Sequence, residues 1–401
     1  MEDLAVTGCR VCGTRLPAPF LDLGAQPLAN ALDTIEPRFP LAVTSCSACR
    51  LVQLTHSVPP SAMFTDYPYM SSFSSSFLAH AERMAESLSA RYALGPGSRV
   101  VEVGSNDGYL LQYFAKSGIE VLGIEPAQNV AKIARERGVP TKSVFFGPDL
   151  VGQIEPADLL IGNNVLAHVP DLVAFLDAGR RCLSPQGAMV FEVPYLLDFL
   201  DHLEFDTVYH EHCFYFDVRA LAFAGARAGL TLVDVERYPV HGGSLRVFFE
   251  PRGESSLRVR DRIHEENARI TPEVLASFGA RVRGLERTFV SLLRDLRAAG
   301  RTIAAYGAPA KGSTLLNAFG VGTDLIAYAV DRNPAKQGRM MPGVGIPIVA
   351  PERLLAEPPD YLVLLPWNLR TEIVAQEAGY LGRGGKIIVP IPEVTIIGRA
   401  S

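Results

Sequence analysis

Apolar and polar positions along the chain change period several times, and each change marks an element. From Ser98 the apolar runs are short, β-branched and bounded by glycine or polar turns: R-V-V-E-V, V-L-G-I-E, A-D-L-L-I-G-N-N and A-M-V-F-E-V-P. Stretches of helical period separate them, the first from Tyr109 to Lys116, so strand and helix alternate and a mainly parallel sheet is predicted. A further helix is predicted upstream, from about Phe77 to Tyr92. After H-G-G-S-L-R-V-F-F-E the composition shifts, and Arg258 to Ala299 is charged and helical by period. A second strand, turn and helix open at Arg301, in R-T-I-A-A-Y-G-A-P-A-K-G-S-T-L-L-N. L-I-A-Y-A-V-D, P-D-Y-L-V-L-L-P-W and G-K-I-I-V-P-I-P continue that sheet. The expected fold class is α/β: a small N-terminal module over residues 1–70, a Rossmann-like domain over 71–250 and a second Rossmann-like domain over 251–401.

Composition narrows the function. The chain has 401 residues, 48% hydrophobic and 20% charged, with a formal charge of −5. That balance argues against a nucleic-acid partner, which calls for a basic face. No uninterrupted apolar run approaches the ~18 residues of a membrane helix. The acidic start M-E-D-L-A-V-T-G-C does not read as a signal peptide, so the expected location is cytoplasmic. There, six cysteines point to metal ligands, catalytic groups or buried thiols rather than disulfides.

Four of them form two knuckles, Cys9-Arg-Val-Cys12 and Cys46-Ser-Ala-Cys49, separated by 33 residues. Each knuckle puts two thiolates on one turn, and the pair completes a tetrahedral S₄ site suited to zinc. With no open position for water, such a zinc is structural. The Pro-, Leu- and Ala-rich segment between the knuckles predicts little core, so metal ligation is expected to supply much of the module's folding free energy. Tyr67 and Tyr69, crowded by hydroxyl residues, read as interface packing or as phenols reaching a substrate.

The most informative stretch is V-V-E-V-G-S-N-D-G, Val100 to Gly108. Gly104 and Gly108 allow close backbone approach to a ligand. Glu125, ending the next strand, can accept from both hydroxyls of an adenosine ribose. The spacing is not G-x-G-x-x-G, and Glu102 suits a cationic ligand better than a pyrophosphate, which favours S-adenosylmethionine over a nicotinamide. Phe145 and Phe146, in the loop before the third strand, read as core packing or as a sandwich for an adenine, and Asn163, Asn164 and His168 follow the third strand directly. Tyr209, His210, Glu211 and His212 form a second cluster, read as an acid/base group in preference to a metal site, with Cys213 a buried thiol. In the C-terminal half, Lys311, Ser313 and Thr314 face an anion at a helix N-terminus. Asp331, Asn333, Lys336, Pro366, Trp367 and Asn368 end its strands.

The whole chain resembles the three-domain sugar C-methyltransferases of deoxysugar biosynthesis, which act on nucleotide-linked 4-keto-6-deoxyhexoses. The matching motifs are the two knuckles, Y-P-Y-M-S-S-F-S, V-E-V-G-S-N-D-G, G-I-E-P-A, N-N-V-L-A-H-V-P-D, Y-H-E-H, H-G-G-S-L-R, Y-G-A-P-A-K-G-S-T-L-L-N, V-D-R-N-P-A-K-Q-G and L-P-W-N. The resemblance implies S-adenosylmethionine as methyl donor, bound through Glu102, Gly104, Asn106, Asp107, Gly108, Glu125, Phe145, Asn163 and Asn164. It implies a structural zinc on Cys9, Cys12, Cys46 and Cys49. It implies a dTDP-sugar held by Tyr306, Gly307, Lys311, Ser313, Asn317, Asp331, Asn333, Lys336, Trp367 and Asn368. His212 is then the base that removes a proton beside the ketone, oriented by Glu211, with Tyr209, His168 and Tyr67 or Tyr69 around the sugar. His168 or a tyrosine would donate to the enolate oxygen. The expected enzyme methylates carbon 3, works as a monomer and serves antibiotic or related natural-product assembly. The alternatives are methylation at carbon 5, additional reduction of the ketone with NADPH, for which no fingerprint exists, and a zinc-ribbon interaction scaffold. Intact Glu102, Glu125 and Y-H-E-H oppose the scaffold.

Overall fold

The computed structural model describes residues 4–63, 70–73, 75–240 and 242–398; Tyr67 and Tyr69 lie outside the described residues. The N-terminal module is an antiparallel sheet of β1 (Leu21–Pro27), β2 (Arg38–Ser45) and β3 (Val52–Leu54), built beside the two cysteine turns. Its buried Leu41, Val43, Val52 and Leu54 belong to the same apolar cluster as the cores of the other two domains. The proline-rich segment was expected to build little core of its own, with metal ligation supplying much of the folding free energy. It folds as strands whose buried side chains join the shared core, because packing against its neighbours completes the core that its own length cannot.

α1 (Ser75–Arg91) presents Ala81, Met84, Ala85 and Leu88, one helical stripe, to Leu110, Leu111 and Phe114. The middle domain follows as β4 (Arg99–Val103), α2 (Leu111–Lys116), β5 (Glu120–Ile124), α3 (Gln128–Glu136), β6 (Thr141–Lys142), β7 (Ala157–Asn163), α4 (Leu172–Arg181), β8 (Leu183–Pro194) and α5 (Leu196–Asp201). β9 (Phe214–Tyr215), α6 (Val218–Arg227), β10 (Thr231–Tyr238) and β11 (Ser244–Glu250) complete it. Seven strands form one sheet in the order β10-β11-β8-β7-β4-β5-β6, parallel from β8 through β6 and antiparallel at β11 and β10. Both faces are covered by helices, which is why V-V-E-V and L-L-I-G read as nearly continuous apolar runs. β9 does not join this sheet; it pairs with β3 and becomes the fourth strand of the N-terminal module.

The long charged helical stretch is two helices, α7 (Leu257–Arg269) and α8 (Pro272–Ala298). Thr271 caps the second by accepting the Val274 N–H, and Pro272 at its first turn cannot continue the first. The C-terminal sheet has the order β14-β13-β12-β15-β16-β17, from β12 (Ile303–Tyr306), β13 (Ala329–Val330), β14 (Ile348–Val349), β15 (Tyr361–Leu364), β16 (Lys386–Val389) and β17 (Thr395–Ile397). It is parallel except at β17. α9 (Ala310–Ala318) follows β12. Among the described residues no helix is long and apolar enough to cross a membrane.

One buried ion cluster ties α1 to the middle sheet. Glu192 on β8 receives His80 Nε2 at 2.9 Å from α1 and the Arg246 guanidinium at 2.6 and 2.8 Å from β11. All three side chains are buried. Burial alone would raise the Glu192 carboxyl, but His80 and Arg246 overcome it and hold the pKa below the usual range. Removing one partner of such a group strands a buried charge. Glu192→Gln is therefore expected to cost about 3–5 kcal/mol of stability, seen as a lowered urea midpoint. A loss under about 1 kcal/mol would mean that water reaches Arg246.

Candidate active site

The carboxyl ends of the strands in both large sheets face one cavity of about 1130 Å³. Ligands of open α/β sheets bind at such strand ends. On the middle-domain wall, β4 ends at Gly104, which turns with φ +65°; a Cβ there would lie 2.7 Å from Val165 Cγ2. Glu125 lines the cavity, with Oε2 accepting the Asn106 N–H and Oε1 the Ala127 N–H, both at 2.9 Å. Burial raises its carboxyl, against the pull of those two amides. Asn106, Asn163 and Asn164 also line the wall, and Asn163 Nδ2 donates to the Tyr109 hydroxyl at 3.0 Å. Behind them Glu102 is fully buried, its carboxylate oxygens without a well-formed hydrogen bond among the described residues. Burial drives its pKa well up, Tyr109 opposes that, and Glu125 and Asp107 reinforce it. An unsatisfied buried carboxyl beneath a glycine cradle would be drawn to its ionised form by a nearby cation, so it fits a cationic nucleoside such as S-adenosylmethionine.

Two expectations on this wall need correction. Asp107 does not face the cavity: its carboxylate pairs with Arg137 at 2.8 Å and receives the Ser72 hydroxyl. Gly108 packs against Val139 rather than ligand space. Phe145, 53% exposed at the rim, and Phe146, packed edge to face against Phe175, both line the cavity.

The C-terminal wall carries Tyr306, Gly307, Lys311, Asp331, Asn333 and Lys336. Asp331 repeats the Glu125 arrangement, accepting the Ala308 N–H of the first turn and the Asn333 N–H two residues on, both at 2.8 Å. Lys336 Nζ donates to the Ala308 carbonyl at 2.8 Å, and burial lowers its pKa. Ser313, Asn317, Trp367 and Asn368 do not line the cavity. Ser313 is buried inside α9, and Asn317 donates to the Pro342 carbonyl at 2.9 Å, tying down a loop. Trp367 Nε1 donates to Asp206 Oδ2 at 2.8 Å, while its ring lies 4.6 Å from Lys311 Nζ, which also donates to Asn368 at 3.1 Å. These residues position Lys311 rather than meet a ligand. Arg332, from the V-D-R-N motif but not singled out there, and Glu372 and Gln376, which belong to no motif, also line this wall.

Between the walls stand His168, Tyr209 and His212. His212 Nδ1 lies 2.9 Å from the Thr207 carbonyl and His168 Nδ1 lies 2.7 Å from the Glu211 carbonyl. A carbonyl only accepts, so in both neutral rings the proton sits on Nδ1 and the lone pair on Nε2. The rings are 4.9 Å apart, and Tyr209 stacks on His212 at 4.0 Å. Burial lowers the His168 pKa to about 4, against the Glu211 carbonyl. Burial, His168 and Lys311 take His212 well below its ordinary value. The segment is a turn, so His210 points the other way, toward the Phe39 carbonyl at 3.2 Å, and does not share a side with His212. Glu211 is not the orienting partner of His212. Its buried carboxylate takes the Asn30 amide at 2.6 Å, and burial raises it to about 7. Asn30 itself reaches the cavity from between the cysteine knuckles, a contribution no sequence pattern signals.

Outside the lining of this cavity, Cys9, Cys12, Cys46 and Cys49 bring their Sγ atoms within 4.8 Å of one another, with contacts of 3.4 and 3.5 Å. Sulfurs at Zn–S distances of about 2.3 Å around a tetrahedron lie in this range, so the four fit a zinc. Among the described residues this is the only such group.

Three family profiles match in tandem: "Putative zinc binding domain" over residues 9–64, "Methyltransferase domain" over 77–235 and "C-methyltransferase C-terminal domain" over 239–392. The C-methyltransferase NovU of Streptomyces niveus is 37% identical over 419 aligned positions, covering 100% of both chains. A ubiquinone biosynthesis O-methyltransferase of Rhodopseudomonas palustris (strain TIE-1) is 31% identical over 113 residues, 27% of this chain and 43% of its own. The solved CcbJ methyltransferase of Streptomyces caelestis aligns over 43% of this chain and 90% of its own, at 16% identity and a TM-score of 0.35.

A folded pKa below the ordinary ~6.5 means a ring that stays neutral as pH falls through 6.5 and protonates only at lower pH. Histidine-labelled protein, assigned with single His→Gln variants, is expected to show His168 and His210 titrating near 4 and His212 below 6.5. A His212 midpoint at or above 6.5 in the ligand-free enzyme would contradict the tautomer and the burial described.

Proposed function

The chain belongs to the C-methyltransferase family and is an S-adenosylmethionine-dependent enzyme; from that premise we propose that its acceptor is a dTDP-linked 4-keto-6-deoxyhexose, methylated at carbon 3 through an enolate formed by His212. The observation that carries this reading is a neutral imidazole pair, lone pairs on Nε2, set between two facing Rossmann-like walls. One wall suits a cationic adenosyl donor, and the other offers a glycine turn, two lysines and an acidic strand end to a nucleotide sugar.

Methylation at carbon needs a carbon nucleophile, and a C–H beside a ketone is the accessible source. His212 Nε2 takes that proton, leaving electron density on the ketone oxygen as an enolate. The Thr207 carbonyl holds the ring by its Nδ1–H and stabilises the imidazolium that forms. Of the two enolate donors expected from sequence, His168 or a tyrosine, the Nδ1–H tautomer of His168 disfavours the first, since Nε2 then carries a lone pair. The donor role falls to the Tyr209 phenol or to Lys311, whose charge already bears on His212. S-adenosylmethionine, when bound, supplies the methyl group: the sulfonium C–S bond breaks, a C–C bond forms, and S-adenosylhomocysteine and the His212-bound proton leave. Holding both reactants between rigid strand ends supplies much of the rate.

His212→Gln is expected to lower both methylation and donor-free exchange of the sugar's α-hydrogen in deuterated water by about 10²–10⁴. Binding of S-adenosylhomocysteine, read by thermal shift, is expected to persist. Wild-type exchange in this variant would remove His212 from the base role, and no turnover of any 4-keto-6-deoxyhexose by the native enzyme would remove the proposed acceptor.

A further inference from the structure

We propose that Asn30 is a positioning residue for the acid–base centre: from the zinc module it holds the Glu211 side chain, and thereby the peptide carbonyl that orients His168. The inference rests on the reading of His168 and His212 as that centre.

The contacts form one line. Asn30 Nδ2 donates to Glu211 Oε1 at 2.6 Å, His168 Nδ1 donates to the carbonyl of the same residue at 2.7 Å, and the His168 ring faces His212 at 4.9 Å. Glu211 is buried, and among the described residues Asn30 is its side-chain partner. A buried carboxylate deprived of its donor must turn toward water or take a proton, and either change disturbs the peptide that carries it. Asn30 is itself held firmly. Its loop is braced from the C-terminal half: Asp33 accepts the Met340 N–H at 2.6 Å and Arg339 Nε at 2.8 Å, and the Thr34 carbonyl accepts the Gly343 N–H at 2.8 Å. All three domains therefore converge on this side chain, which also lines the cavity. The role explains why a neutral amide stands here. A carboxylate would repel Glu211, and an alanine would leave it unpaired.

The test uses the full chain with Asn30→Ala, Asn30→Asp and the exchanged pair Asn30→Asp/Glu211→Gln. In the double variant the amide introduced at position 211 can donate to the carboxylate introduced at position 30, restoring the bond in reverse. Zinc content and the S-adenosylhomocysteine thermal shift certify folding in each. The expected result is a kcat lowered about tenfold or more in both single variants, with KM for S-adenosylmethionine within about twofold, a pattern of misplacement rather than lost binding. The double variant is expected to recover about tenfold over Asn30→Asp. Wild-type kcat in Asn30→Ala, or no recovery in the double variant, overturns the inference. If Asn30→Ala does not fold, the comparison of Asn30→Asp with the double variant decides. His212→Gln, assayed in parallel for α-hydrogen exchange, separates the two failures: full exchange there sinks the base assignment, whereas the rescue pattern alone judges Asn30.

Discussion

A two-residue strand ties the N-terminal module to the middle domain. β9 leaves the middle domain and pairs with β3 of the N-terminal sheet, Phe214 opposite Gln53 and Tyr215 opposite Val52. The backbone on either side is claimed by other elements. The Cys213 carbonyl accepts the Leu54 N–H at 3.0 Å, the Cys213 N–H donates to Ala167 at 2.6 Å, and the Phe216 carbonyl accepts the Leu196 N–H at 2.8 Å. Buried backbone groups must be paired, so a segment with both neighbours committed has little room to drift. His212 sits one residue before this stretch. Its position is thus set by the zinc module and the middle sheet together, and the module acts as part of the catalytic frame rather than as an appended platform.

The sequence disclosed what depends on local period and short spacing. The apolar runs located the strands of both large sheets, the paired knuckles located the four sulfurs, and Y-H-E-H located the histidine cluster. What it withheld depends on contacts between distant residues. Asn30 meets Glu211 across 181 positions and Trp367 meets Asp206 across 161. Neither pairing leaves a trace in composition. Direction was the other blind spot. Lys311 and Ser313 are two apart on a helix, about 200° around its axis, so only one can face the cavity. His210 and His212, grouped as one cluster by their spacing, are sent apart by the turn that carries them. Asp107 reads as ligand chemistry beside Gly104, yet Arg137, thirty residues on, claims it.

The two Rossmann-like halves share a device. In each, the acidic residue after the second strand accepts one N–H from the first strand's turn and another from the residue two ahead: Glu125 with Asn106 and Ala127, Asp331 with Ala308 and Asn333. Each carboxylate fixes the turn that a ligand must approach, and each oxygen keeps a lone pair for a ligand hydroxyl. The halves differ in their surrounding charge. Behind Glu125 stands a second, unsatisfied carboxylate, Glu102; beside Asp331 stand Lys336 and, across the cavity wall, Lys311. The same frame is therefore polarised toward a cation on one side and an anion on the other, and the reactants are sorted before they meet.

Orientation of both histidines by backbone carbonyls rather than carboxylates has a chemical consequence. A carboxylate at Nδ1 would raise the imidazole pKa and make a stronger base, but one already protonated near neutrality. A carbonyl fixes the tautomer while adding no net charge, and burial then keeps the rings neutral. The weaker base must act on a carbon acid whose intrinsic acidity is poor. The deficit has to be met on the substrate side, by charge aimed at the enolate oxygen, and Lys311 is placed for that. It is held by Asn368 and lies over Trp367, whose ring nitrogen is in turn anchored on Asp206. The same cation that depresses His212 would stabilise the enolate. On the proposed reading, attraction of that cation to the enolate oxygen offsets its repulsion of the new imidazolium only when substrate is bound, and a site arranged this way would leave its base idle until a ketone arrives.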